Sequence, residues 1–135
     1  MGPVGLFKKM KNEAGIPSPE LMRRGMLASG WIVDLEKTDL WVGHGIQPDR
    51  ELRAPVARDP DGCPKSLWNA SCVCKITVGI LRADQDPYQA TCRQQVPRKL
   101  LGELRPGHTW VAVRVNPNDP QEVAIDFQAA LPTAT

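Results

Sequence analysis

The sequence predicts a mainly β fold: a small, curved antiparallel barrel of five or six strands, OB- or SH3-like, with a short N-terminal helix and one helical turn near 98–104. Three observations carry this. Apolar and polar residues alternate with period two over several stretches, the signature of strands with one dry and one wet face. Thirteen prolines and eleven glycines punctuate those stretches as turns rather than as a helical bundle would allow. With 41% hydrophobic residues in 135, the chain is one domain with a real but small core. Closing the sheet on itself removes exposed strand edges.

Residues 1–16 form an N-terminal arm in which Leu6, Phe7 and Met10 sit among Lys8, Lys9 and Lys11, a scrap of amphipathic helix. The domain proper spans 17–128. Ser18-Pro19-Glu20 is a helix start, because Ser caps, Pro fits the first turn and Glu complements the dipole, so a helix runs from Pro19 to Arg24 and stops at Gly25. Met26 to Val42 reads as the first long strand, with Leu27, Trp31, Val33 and Leu35 as its apolar set and a break near Thr38-Asp39. A long loop follows over 43–69, rich in proline, with an edge strand over Leu52 to Ala57. Cys72 to Leu81 is the second long strand. The turn at Asp84–Pro87 leads into a strand from Tyr88 to Val96, and Pro97 ends it. Arg98 to Leu104 gives one or two helical turns with Leu100, Leu101 and Leu104 inward. His108 to Val115 carries Val111, Val113 and Val115 on one face, and the Asn/Pro turn at 116–120 joins it to a strand from Val123 to Phe127. Residues 129–135 read as a disordered tail.

The formal net charge of +2 is too small to mark a dedicated nucleic-acid or anionic-membrane binder. No apolar run reaches the ~20 residues that span a bilayer, and no signal-peptide pattern opens the chain, so a cytoplasmic location is expected. Cys63, Cys72, Cys74 and Cys92 are then expected as reduced thiols. Their spacing is poor for zinc: Cys72 and Cys74 share a strand face about 6.6 Å apart. The 84–87 hairpin places Cys92 opposite Val78 or Ile80. No metal site and no cofactor are expected.

Catalysis finds little support. His44 and His108 sit beside turn glycines without a positioned nucleophile, Asp119 is expected to cap its own turn, and its pairing with Asp126 as acid and base is not favoured. Gly43-His44-Gly45 lacks the pattern of a phosphate-binding loop. The expected function is non-enzymatic: a protein-interaction or accessory module, a subunit or scaffold element of a larger assembly, that docks on a partner protein or on itself. Its partner-binding candidates are Leu6, Phe7, Met10, Trp41 and Trp68, since tryptophans and aromatic anchors dominate interfaces. The alternative is an OB-like single-stranded nucleic-acid binder using Trp110 with Arg82, Arg93 and Arg114.

Gly25-x-x-Ala28, Pro87-Tyr88-x-Ala90-Thr91, Val96-Pro97, Leu101-x-x-Leu104-x-Pro106-Gly107 and the run Val113-Arg114-Val115-Asn116-Pro117-x-Asp119-Pro120-x-x-Val123-Ala124-Ile125-Asp126 together resemble a small β domain of uncharacterised actinobacterial proteins, some of which carry C-terminal SHOCT helices. The resemblance covers 17–127 and implies the fold without a reaction. Two departures stand out: 49–69 is longer and richer in cysteine, and no SHOCT helices follow Phe127.

Overall fold

The computed structural model describes residues 15–44, 48–52, 60, 62, 63 and 70–131, with the backbone alone at 44 and 48–52. Helix α1 is Pro19–Arg24, and its start is built as the sequence dictates: Ser18 Oγ accepts from the Leu21 N–H at 3.4 Å and Pro19 occupies the first turn. Gly25 ends it, its N–H bonding Leu21 O at 2.8 Å.

Strand β1 (Met26–His44) is the longest element, nineteen residues, and the sheet is assembled on it. Its partners are β2 (Pro48–Leu52), β3 (Ala70–Leu81) and β5 (Trp110–Asn116); β4 (Tyr88–Pro97) lies outside β3 and β6 (Asp119–Ile125) outside β5. The order is β4-β3-β1-β5-β6, with every neighbouring pair antiparallel and β2 antiparallel to the far end of β1. Helix α2 (Arg98–Leu101) follows β4, shorter than expected, with Leu100 and Leu101 packed on the core and Leu104 buried beyond it.

The core lies on the concave side. Ile32, Ile76, Val78, Val113, Val115 and Ile125 are all at most 1% exposed, and burying each such side chain contributes ~1.5–3 kcal/mol. A second small cluster, Leu40, Val42 and Val73, is buried on the opposite face of the sheet.

Several expectations need correction. The apolar set read on β1 is not its inward face: Ala28 and Ile32 point into the core, while Leu27 and Val33 are exposed at 43% and 38%. The ladder shift between Ile32 and Asp34 inserts one extra residue and changes which residues face inward, so Leu35 turns to the core; the shift between Lys37 and Trp41 inserts two and keeps that parity, so Trp41 faces the core as well. Thr38, where a break was expected, lies in the second shift; its Oγ1 donates to Val73 O at 2.7 Å and accepts from the Leu40 N–H at 3.2 Å. A strand pairs with β1 at Pro48–Leu52, meeting the expected edge strand at Leu52, and 53–57 lie outside the described residues. Strand β6 begins at Asp119, before the expected Val123, and ends at Ile125. The β3–β4 hairpin places Cys92 opposite Ile76, not Val78 or Ile80, because the connection is longer than the 84–87 turn alone. The sheet is not closed: no ladder joins β4 to β6.

Candidate interaction surfaces

The convex face of the sheet carries one apolar row. Gly79 on β3, Trp31 on β1 and Trp110 on β5 are register partners on three adjacent strands. The two indoles meet edge to face, centroids 4.9 Å apart at 60°, an arrangement worth ~0.5–1.5 kcal/mol beyond buried area. Trp110 nevertheless stays 44% exposed, and Leu27, Val33 and Leu81 extend the apolar surface at 38–44%. Gly79 has no side chain, and Trp31 Cβ and Val33 Cγ2 lie 3.9 Å from where one would begin, so a shallow notch adjoins the tryptophans.

The second feature is a cleft of about 680 Å³ between the two outermost strands. Lys75, Thr91 and Arg93 stand on one wall, Asp119 and Glu122 on the other, and the 16–19 segment closes an end. Side chains bridge the gap. Gln94, 5% exposed, donates from Nε2 to Ile125 O at 2.7 Å and accepts the Ile125 N–H on Oε1 at 2.8 Å. At the other end Tyr88 OH donates to Pro120 O at 2.9 Å, and Gln121 Nε2 to Gln89 O at 3.3 Å. Gly15 touches the same edge: its carbonyl accepts from the Gln95 N–H at 3.0 Å. With φ at 71° and a Cβ that would meet Gln95 N at 2.8 Å, position 15 favours glycine.

Of the expected partner-binding residues, Trp41 is 1% exposed and belongs to the core, so it is not an interface anchor. Leu6, Phe7, Met10 and Trp68 lie outside the described residues. Trp31, read from the sequence in the apolar set of the first long strand, is the residue that sits beside Trp110. Among the arginines paired with Trp110 in the nucleic-acid reading, two are committed to carboxylates. Arg82 binds Asp84 through two bonds at 3.0 and 2.7 Å, and Arg114 binds Asp126 at 3.0 Å and Gly25 O at 3.1 Å. Arg93, exposed on β4, also has an interaction of its own.

Two of the thiols, Cys74 and Cys92, are poor nucleophiles. Burial pushes the Cys92 thiol up to about 12, so it is protonated at neutral pH. Cys74 is pushed far up by its hydrogen bond with the Cys72 side chain, and burial adds to this. Asp119 Oδ1 caps the Gln121 N–H at 3.2 Å, and His108 is exposed in its turn. Among the described residues no three His, Cys, Asp or Glu side chains gather as metal ligands, and no helix is long and apolar enough to cross a membrane. In comparisons with protein-family models, curated proteins and solved structures the chain matches none, so its function is argued from these surfaces alone.

Proposed function

We propose that the chain is a non-enzymatic interaction module, an accessory or scaffold element of a larger assembly, which associates with a second copy of itself through the convex face of its OB/SH3-like curved sheet. The observation that carries this is the Trp31–Trp110 pair, held edge to face yet left open to solvent amid Leu27, Val33 and Leu81. A two-fold interface uses one patch twice, so the patch must be complementary to itself. This one offers both halves: Trp110 as a projection and the Gly79 notch as a recess, with no charged side chain on the row between them. Tryptophan is also the residue most enriched at binding hot spots.

The test is sedimentation equilibrium from 1 μM to 1 mM, about the range that separates tight from weak homodimers. The unaltered protein is expected to be dimeric at high concentration, and Trp31→Ser and Trp110→Ser monomeric with preserved circular dichroism. A monomer throughout for the unaltered protein refutes the proposal, as does a dimer that survives both substitutions.

A further inference from the structure

Strand β1 departs furthest from its ladder with β3 between Lys37 and Trp41, beside two of the buried thiols. Lys37 pairs with Cys74 and Trp41 with Cys72, so Thr38, Asp39 and Leu40 stand opposite Val73 alone. Bulges bend a strand and re-aim its groups, and they recur beside functional sites. This one turns a carbonyl onto the thiols: Thr38 O accepts the Cys72 S–H at 3.4 Å. Thr38 Oγ1 fixes the bulge through its bonds to Val73 O and the Leu40 N–H.

Cys72 and Cys74 share the core face of β3, two residues and ~6.6 Å apart along the strand. Both are 0% exposed. Their side chains meet, since the Cys74 thiol hydrogen-bonds the Cys72 side chain, and it also donates to Cys72 O at 3.6 Å. Among the described residues no set of three thiols, imidazoles or carboxylates forms, so the two sulfurs make a two-ligand pair. A cation stands next to it. Lys37 is exposed, in register with Cys74, and its charge favours the ionised form of that thiol.

We propose that Cys72 and Cys74 bind one soft monovalent metal ion, copper(I), between their sulfurs beneath the bulge at 38–40. Copper(I) prefers thiolate ligands and is satisfied by two of them in a near-linear arrangement. Zinc takes four ligands and calcium six or more oxygens, which this pair does not supply. On binding, both thiol protons leave to solvent and two sulfur–copper bonds form; neither sulfur nor copper changes oxidation state. Thiols are weak donors, so little hydrogen bonding is lost with those protons. The ion with two thiolates carries one net negative charge, which Lys37 offsets. Local opening of the bulge, which lies outside the β1–β3 ladder, admits the ion. The site lies on the opposite face of the sheet from Trp31 and Trp110 and does not depend on self-association.

The test presents copper(I) as its bicinchoninate complex to the full chain, reduced and free of oxygen. The unaltered protein is expected to withdraw one equivalent from the chelator. Cys72→Ser and Cys74→Ser are each expected to lose roughly a hundredfold in affinity, whereas Cys92→Ser and Cys63→Ser bind as the unaltered chain does. X-ray absorption of the loaded protein is expected to show two sulfur neighbours. The melting temperature is expected to rise on loading, because an ion that binds only the folded state stabilises it. No withdrawal of copper overturns the proposal, as does uptake that survives the Cys72→Ser and Cys74→Ser changes together. A lowered melting temperature would mean that thiols of the unfolded chain hold the ion, and three sulfur neighbours with uptake lost in Cys63→Ser would mean a different ligand set; either result overturns it. If serine in the core prevents folding, the sulfur count and the melting temperature of the unaltered chain decide.

Discussion

At the scale of single residues, Asp126 is the carboxylate with the most to hold. It accepts from Arg114 at 3.0 Å and from the N–H groups of Gln128 and Ala129, both at 3.1 Å, and Arg114 in turn reaches Gly25 O at the end of α1. Burial works to raise its pKa, but the Arg114 hydrogen bond and the two backbone donors outweigh it, so the carboxyl is held below its ordinary value of 3.8. A carboxyl depressed in the folded state stabilises the fold above its unfolded pKa, and that contribution is lost as pH falls through the folded value. Asp126→Asn is therefore expected to lower the melting temperature by several degrees at pH 5–7, in line with ~1.5–3 kcal/mol for charge-assisted hydrogen bonds. The gap to the unaltered protein should narrow below about pH 4. A difference that stays constant from pH 7 to pH 2 in thermal melts would show that ionisation of Asp126 has no part in it. This pairing is not legible in the sequence, because Arg114 on β5 and Asp126 just beyond β6 meet only through a strand register that a single chain does not reveal.

At the scale of elements, legibility followed ladder regularity. Strand β5 pairs without interruption over Trp110–Val115, and its alternation put Val111, Val113 and Val115 inward as expected. Strand β1 has two ladder shifts, and a bulge leaves no mark on composition, so period-two reading assigned Leu27 and Val33 to the wrong company. The true inward side of β1 is carried by small residues. Gly30 faces Val113 so closely that an added Cβ would overlap Val113 Cγ2. Gly30→Ala is expected to destabilise the domain by ~1–3 kcal/mol, the usual cost of overpacking a core, although Ala suits a strand better than Gly. Urea unfolding checks this, and a midpoint equal to or above that of the unaltered protein would mean that the core yields at this point. Trp41 was missed for the same reason: the single-residue shift after Ile32 turns the odd positions inward and the two-residue shift after Lys37 keeps them there, so Trp41 lies on the core side opposite Cys72.

At the scale of the whole molecule, the β class, helix α1 and most strand spans were readable because each rests on local pattern. The cleft between β4 and β6 was not, since Gln94 bridges it to Ile125, thirty-one residues on, and a lone glutamine in a strand carries no periodic signal. The strand order also sets the path by which the chain folds. The β3–β4 and β5–β6 hairpins join consecutive strands and can zip on the microsecond scale. Apart from its local hairpin with β2, the central strand pairs with segments distant in sequence, Ser29 with Leu81 and Met26 with Val115, so closing those long loops is the entropic obstacle. Folding is then expected in milliseconds to seconds, limited by the docking of preformed hairpins onto β1. In stopped-flow refolding, Ile32→Val, in the middle of that docking, should slow folding, whereas Val123→Ala, on the last strand, should act chiefly by hastening unfolding. The reverse pattern would place the nucleus in the β5–β6 hairpin and make the nineteen-residue strand a late arrival rather than the rate-limiting template.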